Sequence, residues 1–304
     1  MDKLSQNYNL KDNAILFRNN LSAIPFIDYL DKNNIPFYIR DHKNAFFSSW
    51  VVEDIFNIIK LAKDQKSWNI FKEIYYKTSL YIPKKVVMQV EKNLDPNKTV
   101  IENMLKYPFL NNYQKNNIKN FKRELGYILK LKPVQAITYI EQGMGYENFV
   151  QNYAKKFNYS IDNINNIICT LKLIAEGTDS IDKLILRMKE LQELIKYSQY
   201  NRFKNVVTLS TIHSSKGLEW ERVYLIDMIN DIFPSKVAIE EAKNKNIAQL
   251  EEERRLAYVG VTRAKKELYL LTLKNKNYQS VNPSLFVEEI YRIVNIPPII
   301  PNRN

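Results

Sequence analysis

The class of fold is decided by the stretch VVTLSTIHSSKGLEWERVYLID, residues 206–227. Apolar, β-branched segments of strand length open and close this stretch, and hydroxyls, a lysine and acids lie between them. A second stretch, EEERRLAYVGVTRAKKELYLLT at residues 251–272, combines similar groups and ends in another strand pattern. Polar groups gathered at strand ends are typical of the ligand site of an α/β sheet.

Strand patterns near both ends of the chain predict one parallel sheet. Residues 14–17 and 35–39 are short apolar strands, and apolar residues at helical spacing occupy residues 21–33 between them. A strand, helix, strand unit implies a right-handed crossover between parallel strands. Further strands are predicted at 206–212, 223–227 and 267–272.

Helical periodicity dominates the middle of the chain, where Pro and Gly residues separate the individual helices. Helices are predicted at 68–76, 101–107, 112–130, 134–142, 146–157, 161–176 and 180–198. The sequence therefore predicts an α/β fold in which a sheet domain, residues 1–65 and 201–304, is interrupted by an all-helical insert domain, residues 66–200. Its last residues, 296–304, are rich in proline and are predicted to be an extended tail.

Three segments resemble a known family. Residues 211–219, TIHSSKGLE, resemble the fifth helicase motif of the UvrD/PcrA/Rep family of superfamily 1, and residues 254–264, RRLAYVGVTRA, resemble the sixth. Residues 14–20, AILFRNN, resemble the fourth. The resemblance implies a RecA-like parallel sheet domain, called 2A, interrupted by a helical domain called 2B. Such domains form the C-terminal half of an ATP-dependent DNA helicase or translocase that moves 3′ to 5′.

Four residues are implied by this resemblance to face a nucleotide. Arg263 is implied to be an arginine finger that stabilises charge on a transferring γ-phosphate, and Arg18 a second γ-phosphate contact. Glu219 would accept a hydrogen bond from a ribose hydroxyl, and Gly217 would let the backbone come close. Structural alternatives stay open, namely a helix-capping guanidinium, a strand-end ion pair and a helix-capping acid.

Four further polar residues are candidates for binding nucleic acid. Thr211, His213, Ser214 and Lys216 supply hydroxyls, an imidazole and an ammonium suited to the phosphates of single-stranded DNA. For His213 a purely structural hydrogen bond is the alternative. Because the chain has only two histidines and one cysteine, we expect no metal site and no disulfide. The second histidine, His42, is predicted to lie in a loop.

The sequence lacks a phosphate-binding P-loop. Such a loop needs glycines around a tight turn, followed by Lys and then Ser or Thr. The chain has six glycines, and none of them precedes a lysine. We therefore expect ATP and its Mg²⁺ to be held mainly by a separate N-terminal RecA-like half, and this chain alone to be inactive. The strand at 223–227 could instead present Asp227 to magnesium, although no second acid follows it.

Charge points to a polyanionic partner. The formal net charge of the chain is +12, and residues 66–200 contribute +8 of it. A basic surface attracts phosphate backbones through counterion release, and a solvated face of lysines is the alternative reading of the same charge. Single-stranded DNA and a duplex junction are the partners that the resemblance implies. No apolar run approaches the roughly 18 residues of a membrane span, so we expect a cytoplasmic, monomeric chain without a membrane partner.

Two other functions remain open. The chain could be a nucleic-acid-binding or partner-binding module without ATPase activity. It could also be the C-terminal half of a helicase–nuclease subunit, although no carboxylate-rich nuclease motif follows Glu289.

Overall fold

The computed structural model describes residues 9–41, 45–276 and 279–294. Contacts divide the chain into two compact units. The first, here called the sheet unit, comprises Met1–Lys43 and Leu191–Asn304, and the second, the helical unit, comprises Asn44–Glu190. The predictions of a loop at His42 and of an extended tail at 296–304 lie outside the described residues.

The sheet unit is built on parallel strands. The strands of the described ranges are β1 (Asn13–Phe17), β2 (Phe37–Ile39), β3 (Val207–Thr211), β4 (Trp220–Leu225), β5 (Ala264–Leu270), β6 (Asn275–Lys276) and β7 (Gln279–Ser280). Five of them form one sheet in the order β2-β3-β1-β4-β5, and each neighbouring pair is parallel. The predicted α/β class and parallel sheet are confirmed.

Helices account for most of the remaining described chain. They are α1 (Ala23–Lys32), α2 (Trp50–Lys63), α3 (Trp68–Ile74), α4 (Lys84–Glu91), α5 (Val100–Leu105), α6 (Asn112–Ile128), α7 (Pro133–Thr138), α8 (Tyr146–Phe157), α9 (Ile161–Glu176), α10 (Ile181–Tyr197), α11 (Lys236–Lys243), α12 (Ala248–Val261) and α13 (Leu285–Val294). A π-helical turn, Tyr139–Gly143, follows α7. Across the described ranges, none of these helices combines the length and apolar character that crossing a membrane requires.

Strand β1 occupies the centre of the sheet, and all of its residues are buried. Ile15 is paired in register with Leu209 of β3 and with Tyr224 of β4. A strand covered on both faces is apolar without alternation. This explains why the sequence from Ala14 to Phe17 is a continuous apolar run.

Strand β4 begins and ends earlier than predicted. It starts at Trp220 rather than at residue 223, because the Trp220 N–H donates to the Arg263 carbonyl at 2.9 Å and so begins the pairing with β5. It ends at Leu225, since Asp227 has a φ of +67°, which is incompatible with a strand. The polar residues Glu221 and Arg222 had concealed the first half of this strand from an apolar pattern.

The core of the sheet unit lies between the sheet and α12. A Cβ added at Gly260 on α12 would lie 3.1 Å from Leu225 and 3.3 Å from Ile212, so the helix approaches the sheet as closely as a glycine allows. Trp220 is 9% exposed and belongs to the same apolar cluster as Phe233. Trp220 is therefore a core residue.

The described residues of the helical unit form helices and no strand. Helices α8 and α9 have the predicted bounds. The sequence did not predict α4 or α11, because each has only eight residues and buries few of them, Val87 and Val90 in α4 and Ala238 in α11. So short an apolar stripe gives almost no periodic signal.

Helix α2 corrects the predicted domain boundary. The sequence places it with the first strands in residues 1–65, but it packs against α3, α6 and α9 and lies in the helical unit. Its buried residues Ile55, Ile58 and Ile59 fit against other helices rather than against the sheet. The units accordingly divide at 43/44 and 190/191 instead of 65/66 and 200/201.

A buried polar network ties three segments of the helical unit together. Asp54 on α2 is 3% exposed, and it accepts hydrogen bonds from Lys77 Nζ at 2.5 Å and from the Tyr146 hydroxyl at 3.0 Å. Burial raises the pKa of Asp54, and the contacts with Lys77 and Tyr146 oppose that rise. A buried carboxylate is stable only when it is paired in this way.

We expect Asp54→Asn to destabilise the chain by about 3–5 kcal/mol, because the ammonium of Lys77 would stay buried without its counter-charge. Urea unfolding followed by circular dichroism measures the change. The matched control is Asp182→Asn, which breaks the ion pair of an exposed carboxylate with Lys63. That substitution should cost less than about 1 kcal/mol. Equal losses in the two variants would show that the Asp54 network contributes nothing special.

Candidate functional site

Parallel strands place the predicted site residues on two opposite edges of the sheet. Arg18 follows β1 and Thr211 ends β3, so both lie at the edge formed by the carboxyl ends of the strands, here called the carboxyl edge. Glu219 precedes β4 and Arg263 precedes β5, so both lie at the opposite, amino edge. Residues 212–217 form the turn that crosses from one edge to the other.

At the carboxyl edge, the side chain of Asp41 gathers two of the predicted nucleic-acid ligands. Its Oδ2 accepts from the Thr211 hydroxyl at 2.7 Å, and its Oδ1 accepts from the Ser214 hydroxyl at 2.8 Å. Partial burial acts to raise the pKa of Asp41, but the hydrogen bonds from Thr211 and Ser214, with the nearby charge of Arg40, hold that pKa below its ordinary value. Asp41 therefore stays ionised and fixes both hydroxyls.

His213 and Lys216 lie on the crossing turn and are exposed. The turn is closed locally, since the Ser214 N–H donates to the Thr211 hydroxyl at 3.2 Å and the Lys216 N–H to the His213 carbonyl at 3.4 Å. Ser215 is fully buried and donates its hydroxyl to the Ile212 carbonyl. The buried Ser215 anchors the turn, and the imidazole and the ammonium face solvent.

At the carboxyl edge, the guanidinium of Arg18 has an N–H donor without a hydrogen-bond partner among the described residues. Its backbone N–H donates to Asp227 Oδ2 at 3.2 Å, and one guanidinium nitrogen lies 3.6 Å from Glu253 Oε1. Its Nε is buried and has no hydrogen-bond partner among the described residues. A guanidinium held by one long ion pair retains the capacity to bind an anion.

At the amino edge, Arg263 is held firmly by backbone and hydroxyl oxygens. Its Nε donates to the Val259 carbonyl, one terminal nitrogen to the Leu218 carbonyl and the other to the Thr262 hydroxyl, each at 2.9 Å. A guanidinium has five N–H donors. The two that remain can bind an anion in a direction that the other three fix.

Gly217 and Glu219 flank the carbonyl that Arg263 contacts. Gly217 has a φ of +85°, and no atom lies within 4 Å of where its Cβ would stand, so its backbone is open to an approaching molecule. The carboxylate of Glu219 is about half exposed and lies 3.9 Å from Lys265 Nζ. The structure thus brings Gly217, Glu219 and Arg263 together.

The structure does not bring Arg18 and Arg263 together. In the strand register Arg18 is level with residue 227 and Arg263 with residue 219. Their backbones are therefore roughly 25 Å apart along the strand direction, at about 3.3 Å per residue. Their guanidiniums contact α12 at Glu253 and at Val259, about 9 Å apart along the helix axis at 1.5 Å per residue. The prediction that both arginines contact one γ-phosphate is therefore not supported by their positions.

Two acids of this region were not among the candidates. Asp41 follows β2 at its carboxyl end, and such a position at a parallel sheet edge was the signal that could have identified it. Glu253 is 5% exposed, and it accepts from the Ser235 N–H at 2.9 Å while pairing with Arg18. In the sequence it is hidden among four other charged residues. Within the described ranges, no group of three His, Cys, Asp or Glu side chains could hold a metal ion.

Comparison with known proteins gives a consistent result. Residues 1–275 match the UvrD-like helicase C-terminal domain family. The chain is 30% identical over 274 residues to the ATP-dependent DNA helicase Rep of Buchnera aphidicola (subsp. Acyrthosiphon pisum), covering 85% of this chain and 41% of that protein. It is 26% identical over 299 residues to Rep of Escherichia coli K12, covering 92% and 43% respectively.

A third relative, DNA helicase II of Rickettsia typhi, is 34% identical over 162 residues, which are 52% of this chain and 23% of that protein. The chain spans less than half the length of each of these relatives. The family match includes both motif-bearing stretches and all five strands of the parallel sheet. The chain belongs to the UvrD-like helicase C-terminal domain family.

Proposed function

We propose that this chain is the C-terminal motor region of an ATP-dependent DNA helicase or translocase that moves 3′ to 5′. In this proposal the sheet unit is the RecA-like domain 2A and the helical unit is the insert domain 2B. The observation that carries the proposal is the hydrogen bond from Arg263 to the Leu218 carbonyl. It joins the two motif-bearing stretches at a place where a cation, an acid and an open glycine backbone meet.

The amino edge is the half of the nucleotide site that this chain contributes. ATP with Mg²⁺, when bound, supplies the phosphoanhydride bond to be hydrolysed, and a P-loop in a separate N-terminal RecA-like domain holds most of it. From this chain, Arg263 directs its two remaining N–H donors at the terminal phosphate. Glu219 accepts from a ribose hydroxyl, and Gly217 leaves room for the sugar. Three fixed donors keep the guanidinium of Arg263 oriented in advance.

The carboxyl edge is the half that holds single-stranded DNA. Thr211 and Ser214 present hydroxyls fixed by Asp41, and His213 and Lys216 project into solvent beside them. Because Thr211 and Ser214 donate their single O–H hydrogens to Asp41, they fix the turn, and the imidazole of His213 and the ammonium of Lys216 contact the phosphates. Such phosphate contacts position a strand without reading its sequence. We infer that Arg18, which follows β1, serves this edge rather than the nucleotide.

One rigid path connects the two edges. The crossing turn, residues 212–217, runs from Thr211 to the loop that Arg263 contacts. Helix α12 runs alongside, with Glu253 near Arg18 and Val259 beside Arg263. A displacement of Arg263 by nucleotide-driven closure would therefore move the strand-holding residues through packed backbone.

We expect Arg263→Ala to lower DNA-stimulated ATP turnover by roughly 10³-fold when the chain is combined with the N-terminal RecA-like half. Phosphate release at saturating ATP and DNA measures this, and affinity for single-stranded DNA should stay within about twofold of the unsubstituted chain. Arg292→Ala, which removes a guanidinium that is 80% exposed on α13, is the matched control and should keep full turnover.

Full turnover with Arg263→Ala would remove the finger assignment. The alternative, a nucleic-acid-binding module without ATPase activity, predicts that the unsubstituted chain does not stimulate turnover at all.

We expect Lys216→Ala to reduce the salt dependence of single-stranded DNA binding, because one ammonium–phosphate contact is lost. The slope of log K against log salt concentration should fall by about 0.7 in magnitude. Fluorescence anisotropy with a labelled oligonucleotide between low and moderate salt measures the slope. Lys266→Ala, which removes an ammonium 71% exposed on β5, the outer strand at the opposite side of the sheet from β2, should leave it unchanged. Equal slopes in both variants would contradict the assignment of the turn to DNA.

A further inference from the structure

Residues 196–205, KYSQYNRFKN, alternate aromatic rings with cations and contain no acid. The three rings, Tyr197, Tyr200 and Phe203, are spaced three residues apart. The segment also has three cations: Lys196 precedes the first ring, Arg202 lies between the second and third rings, and Lys204 follows the third. This segment joins α10 to β3 in the sheet unit, and neither motif-bearing stretch includes it. We call these six side chains the aromatic strip.

Local backbone geometry places the rings on one face. Ser198–Asn201 form a 3₁₀ helix, which has three residues per turn, so side chains three apart are eclipsed. The rings of Tyr197 and Tyr200 are accordingly stacked, with centroids 6.2 Å apart and an interplanar angle of 27°. Phe203 continues the same spacing beyond the 3₁₀ helix.

The other face of the segment is tied to the outer edge of β2. Gln199 Nε2 donates to the Ile39 carbonyl at 2.6 Å, and Asn201 Nδ2 donates to the Phe37 carbonyl at 3.1 Å. Ser198 is 3% exposed, and its hydroxyl accepts from the Ile39 N–H at 3.4 Å. These polar side chains hold the segment against the sheet, and the aromatic rings are consequently directed to solvent.

The exposure of the rings increases along the strip. Tyr197 is 55% exposed, Tyr200 77% and Phe203 91%. Lys196 lies over the ring of Tyr197 at 5.8 Å and Arg202 over that of Phe203 at 5.3 Å. Lys204 Nζ donates to Asn201 Oδ1 at 3.1 Å, and among the described residues none of the three cations forms an ion pair. Exposed aromatic faces bordered by unpaired cations are unusual on a surface without a binding role.

A cleft of about 430 Å³ continues the strip to the carboxyl edge. It is lined by Tyr38, Arg40, Asp41, Gln199, Arg202 and Ser214. Arg202 and Gln199 belong to the segment of the strip, whereas Ser214 is one of the hydroxyls fixed at the carboxyl edge. The cleft therefore lies between Arg202, whose guanidinium covers the Phe203 ring, and Ser214 at the carboxyl edge, within one unit of the chain.

We propose that the aromatic strip is a stacking surface for the bases of single-stranded DNA as the strand leaves or enters the carboxyl edge. Bases stack on Tyr200 and Phe203, and the phosphates between them lie along Arg202, Lys204 and Arg40. This inference rests on the proposed function of the carboxyl edge and extends the bound strand beyond it.

A single strand fits this surface better than a duplex or a protein segment. Only unpaired bases offer their faces to an aromatic ring, and stacking tolerates any sequence because every base has a π-face. Cations without acids match a phosphate backbone. The combination of stacking rings and an electropositive groove is the general solution for single-strand binding.

The test compares the full chain with Tyr200→Ala/Phe203→Ala by fluorescence anisotropy. Three probes are used: a dT oligonucleotide of about 16 nucleotides, an abasic oligonucleotide of the same length and a blunt duplex. We expect the double variant to bind the dT strand at least about tenfold more weakly, and the abasic strand and the duplex within about threefold of the unsubstituted chain. Tyr29→Ala, which removes a ring 42% exposed on α1, is the matched control and should bind all three probes normally.

A second measurement does not depend on the variants. A dT strand carrying 5-iodouracil, irradiated while bound to the unsubstituted chain, should crosslink to Tyr200 or Phe203, as peptide mapping would show. Crosslinks found only at other residues would contradict base stacking on the strip. An equal loss of affinity for all three probes in the double variant would contradict it as well.

The outcome for His213→Ala, measured in parallel, separates the two proposals. If the double variant binds the dT strand normally and His213→Ala binds it more weakly, the proposal for the aromatic strip is wrong and the proposal for the carboxyl edge stands. If the double variant binds the dT strand more weakly and His213→Ala binds it normally, the proposal for the carboxyl edge is wrong and the stacking surface stands.

Discussion

Backbone pairing of β4 with β1 on one side and with β5 on the other determines which polar groups of this chain can meet. Because both pairings are parallel, residues that follow a strand lie at one edge and residues that precede a strand lie at the other. Arg263 reaches Leu218 only because β5 begins beside Trp220, where β4 also begins. The same pairing separates Arg18 from that group. The separation of the candidate site residues into two groups at opposite edges follows from strand direction.

The sequence predicted the elements with strong periodicity. The buried run of β1 and the helices α8 and α9 were readable because many side chains repeat one period. The start of β4 was not, since Glu221 and Arg222 occupy positions where an apolar pattern was expected. Helix α2 was assigned to the wrong unit because an amphipathic stripe identifies a buried face without identifying what covers it. The elements that cover such a face are determined by packing between segments that are distant in sequence.

Candidate site residues were predictable as a set but not as a geometry. Motif resemblance selected Arg263, Glu219 and Gly217, and the structure brings these three together. Motif resemblance also paired Arg18 with Arg263, although the predicted strands at 14–17 and 267–272 already place Arg18 after one strand and Arg263 before another. Asp41 escaped notice because a lone acid at a strand end has no distinctive neighbours. Asp41 accepts hydrogen bonds from two hydroxyls whose residues are about 170 positions away in the sequence, and a local pattern does not contain that information.

In our proposal for the aromatic strip, a segment that protects a sheet edge also provides a binding surface. β2 is an outer strand, and an outer strand has backbone groups that no neighbouring strand satisfies. Ser198, Gln199 and Asn201 satisfy three of them, at Ile39 N–H, Ile39 C=O and Phe37 C=O. A 3₁₀ segment that directs polar residues inward must direct its remaining positions outward. If those positions were serving only as a solvated surface, polar residues would suffice there. Tyrosine and phenylalanine at the outward positions instead expose apolar area to water, and in the proposed complex stacked bases would cover that area.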